Sequence, residues 1–378
     1  MNPHVPFYGV SRFYTRNRSE ILQAIDQALA TEPVFQGSSV SRLEDLMRQW
    51  CRRKHAVALG SCTDALTFAL TALQVGPSAE VLLPALTFPA SIVPVLRVGA
   101  TPVFVDVEPF TCLMDLERAQ GLVTERTKAL IGVDLFGQPI SARRFADFAA
   151  AHRMFLIEDA AQAFGASSDG LPAGALGDAS CLSFDPTKVI GVFGSGGMLL
   201  TDLDTLAEHA RQLRNYGRES TTSSFQQPGY CSRLSSPLAA QLLVAVRHFP
   251  ERQRQRERLA AFYHSHLGGV GDLQLPEIAP DTVGNWHKFV VRSGQRDALR
   301  VWLQRHGVET AVHYPHAACD EPMIQRLRLP PWAVACPHAR ALAASVLSLP
   351  LYPELADEEV AHIANATRRF FEKHEQTR

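Results

Sequence analysis

Short apolar stretches recur between residues 55 and 200 and are separated by segments with helical periodicity, and this alternation constrains the fold more than any other feature. His55–Leu59, Glu80–Leu83, Pro102–Val105, Ala129–Val133, Met154–Ile157, Ala179–Phe184 and Met198–Leu200 read as strands, with helices expected over Thr63–Leu73, Ala90–Val98 and Ser141–Arg153. The strands are too uniformly apolar to leave one face in water. They predict an α/β fold with a mostly parallel central sheet sandwiched by helices. Sheets of this kind gather ligands at the carboxyl ends of their strands, so the residues just after each strand are the ones to inspect for chemistry.

The flanking segments are less regular. An amphipathic helix is expected over Glu20–Ala30, then a second opened by a Ser41-x-x-Glu44 capping box with Leu43, Leu46, Met47 and Trp50 on one face. Beyond Asn215-Tyr216-Gly217, the polar stretch Glu219–Pro228 reads as an exposed loop, and a helical region from Leu238 to Leu267 is expected to kink or break near Pro250. From Asn285 a smaller α+β unit follows, with strands at Phe289–Val291 and Glu309–Tyr314 and helices at Ala298–His306, Ala339–Val346 and Asp357–Phe371. The expected division is an amino-terminal arm and large domain over 1–245 and a small carboxyl-terminal α+β domain over 246–378.

Charge and cysteine usage remove several classes of function. Lysine plus arginine (37) nearly balance aspartate plus glutamate (38), so no global field favours nucleic acid or an anionic membrane. No signal-peptide pattern opens the chain and no apolar run reaches the roughly 18 residues of a membrane span, which makes a cytoplasmic protein the default expectation. The seven cysteines are scattered, with no C-x-x-C pair and no metal spacing, and read as reduced thiols with no metal site.

The strand ends carry a coherent set of polar residues. After Ala179–Phe184 the turn Asp185-Pro186-Thr187 presents Lys188, followed by the glycine-rich run Gly191–Gly197. The strand ending at Ile157 runs into Glu158-Asp159-Ala160-Ala161-Gln162. A carboxylate there must be paired, hydrogen-bonded or protonated, so Asp159 is suited to hold a cationic group, with Gln162 one turn on. The loop Ser61-Cys62-Thr63 at a helix start offers free N–H groups to a phosphate, and Thr87-Phe88 sets an aromatic ring at the same sheet edge. Taken singly, each has a plain alternative: Ser61 or Thr63 as a helix cap, Phe88 as core, Asp159 as a cap, Lys188 as a solvated surface group. Together they match pyridoxal 5'-phosphate (PLP). That cofactor needs a Schiff-base lysine (Lys188), an acid at the pyridine nitrogen (Asp159), a phosphate cradle (Ser61–Thr63 with Ser183), a stacking ring (Phe88) and a donor to the phenolic oxygen (Gln162). Neither a Walker loop nor a G-x-G-x-x-G fingerprint is present, which sets a nicotinamide oxidoreductase last.

Several segments also resemble one family. His55–Leu66, Pro84–Phe88, Gly99–Val107, Glu158–Gln162, Ser183–Lys188, Leu213–Gly217 and Leu347–Pro353 are similar, in the same order, to the DegT/DnrJ/EryC1/StrS sugar aminotransferases. The resemblance implies fold type I of the PLP enzymes and a homodimer with its active sites at the subunit interface. It also implies transfer of an amino group from glutamate or glutamine to a keto-sugar nucleotide or a related cyclitol. It places the Schiff-base lysine at Lys188, the pyridine partner at Asp159, the phenolic-oxygen partner at Gln162, the stacking ring at Phe88 and the phosphate contacts at Cys62, Thr63 and Ser183. Cys62 stands where the family has glycine, Cys231 where it has an asparagine, and Cys319 where it has a histidine. The alternatives are a PLP-dependent sugar dehydratase, disfavoured because that branch has histidine at the position of Lys188, and a PLP-binding regulatory or scaffold protein without turnover.

Overall fold

The computed structural model describes residues 4–219, 222 and 224–375, so residues 220, 221 and 223 of the expected Glu219–Pro228 loop lie outside the described residues. Seven strands form the central sheet: β1 (His55–Leu59), β2 (Glu80–Pro84), β3 (Thr101–Val105), β4 (Thr127–Val133), β5 (Phe155–Asp159), β6 (Ala179–Ser183) and β7 (Gly197–Thr201). Their order is β1-β7-β6-β5-β4-β2-β3, with β7 antiparallel to both neighbours and the other contacts parallel. The mostly parallel sheet read from the sequence is therefore present.

Period-two alternation sends side chains to two cores. Along β1, Val57 and Leu59 enter one apolar cluster and Ala56 and Ala58 the other, so both faces are covered. Each fully buried leucine or phenylalanine in these layers contributes about 1.5–3 kcal/mol. A third cluster surrounds the antiparallel pair Phe289–Arg292 and Val346–Leu349 and takes in Val5 from the amino-terminal arm. Among the described residues no helix is long and apolar enough to cross a membrane.

Four local expectations need correction. The helix over Ser236–Leu267 runs through Pro250 without a break. A proline forfeits one backbone hydrogen bond, and here buried residues from Ala239 to Phe249 and from Leu259 to Leu267 hold the helix on both sides. The second helix begins at Ser38, a turn before the Ser41-x-x-Glu44 box. Glu32 receives the Ser39 N–H (2.8 Å) and both serine hydroxyls, which leaves Glu44 to accept from Ala58 N and Arg214 Nη1, each at 2.8 Å. Glu309–Tyr314 is not a strand, because only Ala311 bridges to Ser348 and the remainder is loop. The strand that pairs with Phe289–Arg292 is Val346–Leu349, assigned from sequence to the end of a helix and its sequel.

Candidate active site

The carboxyl ends of β1, β2, β5 and β6 open on one cavity of about 350 Å³, lined by Cys62, Thr63, Phe88, Asp159, Gln162, Ser183 and Lys188 together. Residues from widely separated stretches of the sequence thus meet in one space, because the parallel strands all point their carboxyl ends the same way.

Lys188 is held by its turn. Asp185 Oδ1 accepts from Thr187 N (2.9 Å) and Thr187 Oγ1 (2.6 Å), and Lys188 N donates to Asp185 O (2.9 Å). Gly196 O receives Phe184 N, and Gly191 packs so closely on Asp185 O that an added Cβ would lie 2.6 Å from it. The glycine run is therefore a steric requirement of the lysine turn. Among the described residues the Lys188 ammonium makes no hydrogen bond or ion pair.

Asp159 closes β5 and is 4 % exposed. Its Oδ2 accepts from Ser91 Oγ (2.6 Å) and its Oδ1 from Ala161 N (3.2 Å), with Cys62 Sγ at 3.9 Å. No helix follows it, so the capping alternative falls. Among the described residues no arginine, lysine or histidine lies within ion-pair distance of this carboxylate. Burial raises its pKa, while the Ser91 and Ala161 hydrogen bonds and the Lys188 charge oppose the rise. A buried carboxylate without a cation in its own chain fits a cationic ligand atom.

Glu158 points to the opposite face. Its Oε2 accepts from Gly174 N and Leu176 N (3.0 Å each) and Ser180 Oγ (2.6 Å), and its carboxyl lies beside buried Asp134. Burial, then the neighbouring Glu158 charge, raise the Asp134 pKa well above the usual carboxylate value. This pair supports the strand from behind.

The amide of Gln162 is oriented by backbone. Its Oε1 accepts from Phe136 N (2.9 Å), which turns Nε2 toward Tyr314 Oη (3.2 Å) and the cavity. Phe88 caps the helix Pro89–Arg97 and is 52 % exposed, with its ring 5.8 Å from that of Tyr314. Ser61 does cap the helix Cys62–Ala72, accepting from Asp64 N (3.1 Å), but the same helix start lines the cavity. A Cβ on Gly197 would fall 2.3 Å from Cys62 N, so β7 and this loop fit only with glycine between them. Ser195 Oγ donates to Gly60 O (2.8 Å) and holds the loop from the other side.

The positions that depart from the family pattern differ in placement. Cys62 is buried against Asp159, and burial followed by that carboxylate raises its pKa, so the thiol stays neutral. Cys231 is exposed beside Tyr216 and Arg233, whose hydrogen bonds lower its pKa. Cys319 is buried 3.7 Å from Arg340 Nη2, outside the cavity lining. Arg233 stacks on Phe35 at 4.3 Å.

Sequence reasoning missed Ser91, His287, Lys288 and the role of Tyr314, all of which line the cavity. Ser91 lay one helical turn after Thr87, and the pair His287-Lys288 stood conspicuously polar ahead of the apolar strand Phe289–Arg292.

Comparison with known proteins agrees with this geometry. The UDP-N-acetyl-3-dehydro-α-D-glucosamine 3-aminotransferase of Acidithiobacillus ferrooxidans is 37 % identical over 368 residues, 97 % of this chain and 98 % of that protein. The crystal structure of Streptomyces venezuelae DesV superposes with a TM-score of 0.94 at 36 % identity, covering 98 % of this chain and 99 % of that one. NtdA from Bacillus subtilis, solved with bound cofactor PMP, superposes with a TM-score of 0.89 at 27 % identity over 98 % of this chain and 85 % of its own. The fold is fold type I of the PLP-dependent enzymes. Residues 15–368 match the family model, and the chain belongs to the DegT/DnrJ/EryC1/StrS aminotransferase family.

Proposed function

We propose that this protein is a PLP-dependent aminotransferase that moves an amino group from glutamate or glutamine to a keto-sugar nucleotide. The observation that carries the reading is the buried Asp159 carboxylate, unpaired by any cation among the described residues of its own chain, in one cavity with Lys188, whose ammonium has no partner among them. These residues fit the cofactor. Asp159 would hold its ring nitrogen, Gln162 Nε2 its phenolic oxygen, and Phe88 its ring face. Cys62 and Thr63 backbone with Ser183 would take its phosphate. Bound there, PLP supplies an electrophilic aldehyde and a protonated ring that withdraws electrons from a substrate carbon.

The chain's own residues do the rest. Lys188 Nζ takes the proton from the donor's α-carbon and returns it on the far side of the transfer, and the Asp185–Thr187 turn restricts where that nitrogen can reach. The Phe136 N–H bond keeps the Gln162 amide from flipping. The acceptor follows the relatives: a 3-keto nucleotide sugar is the first compound to try. The division into 1–245 and 246–378, the homodimer and a cytoplasmic location belong to the same reading.

The test is the visible spectrum of protein reconstituted with PLP, before and after glutamate or glutamine, followed by assay of 2-oxo acid release with a 3-keto nucleotide sugar. Amino-donor-dependent conversion and catalytic oxo-acid release are expected. Reproducible PLP binding with no response to either donor would favour the regulatory alternative.

Asp159 also gives a pH dependence. Its pKa lies above the ordinary carboxylate value, so affinity for PLP should fall as pH drops through that raised pKa. Ser91→Ala removes a hydrogen bond that favours the ionised form and should move this acid limb upward by about one pH unit. PLP binding titrations across pH check it, and an unmoved limb would assign the limb to another group.

A further inference from the structure

Lys288 is the buried cation that the roles above do not use. It is 9 % exposed and lines the main cavity together with an adjoining recess of about 40 Å³, which Phe7, Tyr8, Lys188, Arg256 and His287 also border. Its Nζ stands 4.3 Å from the Tyr8 ring centroid and 5.1 Å from that of Phe7, and among the described residues it has no hydrogen bond or ion pair.

The surrounding charges leave it uncompensated. Arg256 Nη1 is engaged by the carbonyls of Trp286 (3.2 Å) and Leu351 (3.3 Å). His313 Nδ1 is bonded to Ser348 Oγ (2.8 Å), and burial with the Lys288 and Lys188 charges lowers its pKa to about 3. His287 is kept neutral by burial in the same way. Asp185, the carboxylate that opposes this cluster, already accepts twice from Thr187. Burial, then Lys188 and Arg256, push the Lys288 pKa well below the usual lysine value, with Asp185 acting against them. A lysine enclosed without an anion is costly to keep charged, and an arriving anion would restore the charge. The recess shares Tyr8, Thr187, Lys188, His287 and Lys288 with the main cavity and has room for a group the size of a carboxylate.

We propose that Lys288 is the carboxylate anchor for the amino donor, its ammonium pairing with a carboxylate of the α-amino acid while Lys188 stands beside the same ligand. The assignment rests on the aminotransferase reading and adds a specificity-determining residue to it.

The test uses PLP-loaded wild-type protein, K288M and K288R, with glutarate as a donor mimic that carries no amine and D-glucuronate as a sugar carboxylate. Calorimetry in buffers of different ionisation enthalpy measures affinity and proton uptake together. Wild type should bind glutarate with uptake of a proton at pH 8, because Tyr8, Lys188, Arg256, His287 and His313 around Lys288 supply no carboxylate and Asp185, which opposes its shift, makes no ion pair with it among the described residues. K288M should weaken glutarate about 10- to 100-fold and abolish the uptake. K288R, permanently charged, should keep more affinity than K288M without the uptake. Retention of the lysine-dependent visible band in K288M controls for folding, since Lys188 is untouched. Unchanged glutarate affinity in K288M, or a loss confined to glucuronate, would overturn the proposal. The response of wild type to glutamate reports separately on the aminotransferase reading, so the two failures are distinguishable.

Discussion

Lys188→Ala should eliminate the lysine-dependent visible absorption of the PLP-loaded protein and lower amino transfer by about 10⁴-fold or more, while leaving the fold intact. Positioned acid–base groups contribute up to about 10⁴-fold, and this lysine is also the nucleophile that anchors the cofactor. The fold should survive because the Lys188 ammonium makes no hydrogen bond or ion pair among the described residues, and the turn that carries it is held by Asp185, Thr187 and backbone. Removing the charge also relieves repulsion on Lys288, whose pKa it depresses. Melting temperature at pH 7 should accordingly match or exceed that of wild type. An added primary alkylamine should restore part of the rate by standing in for the missing nitrogen. Near-normal turnover in Lys188→Ala would sink the assignment, and a collapsed melting curve would show that the lysine has a structural duty not visible in its contacts.

The sheet and the residues at its carboxyl edge were legible because both depend on local pattern. A run such as Ala129–Val133 is apolar on both sides, and the residues that terminate such runs, Asp159 and Lys188, follow directly in sequence. What escaped was set by distant partners. Glu44 has a capping-box spacing, yet Ala58 N and Arg214 are better partners across the sheet edge, and Glu32 takes the cap. Pro250 is a helix breaker by local rules, and burial on either side overrides it. Tyr314 and Lys288 reach the cavity from the small antiparallel unit, along a path that no periodicity records. Glu309–Tyr314 alternates like a strand, but its bridge to Ser348 is confined to Ala311, and the rest of the segment is loop that carries Tyr314 to Gln162.

Asp159→Asn should divide stability from activity. Turnover should fall about 100- to 1,000-fold, the loss typical of removing one preorganised electrostatic group from a site that excludes water, because asparagine cannot hold a proton on the cofactor ring. The empty protein should behave oppositely. The folded pKa of Asp159 is raised, so its contribution to stability is fully present below the unfolded carboxylate pKa and is lost as pH rises through the folded value. Wild-type apoprotein therefore carries a cost at pH 8 that the asparagine variant would not, about 1.4 kcal/mol for each tenfold gain in proton affinity on folding. The hydrogen bonds permit the exchange. The amide oxygen can keep Ala161 N, and the new NH₂ can donate to Ser91 Oγ, which is free to donate in turn to Thr87 Oγ1 at 2.9 Å. Melting curves of both apoproteins at pH 5 and pH 8 should show the variant gaining on wild type as pH rises. A variant that is less stable at pH 8 would mean that the Asp159 charge is compensated in the empty fold, and the case for a cationic ligand atom at that carboxylate would fall with it.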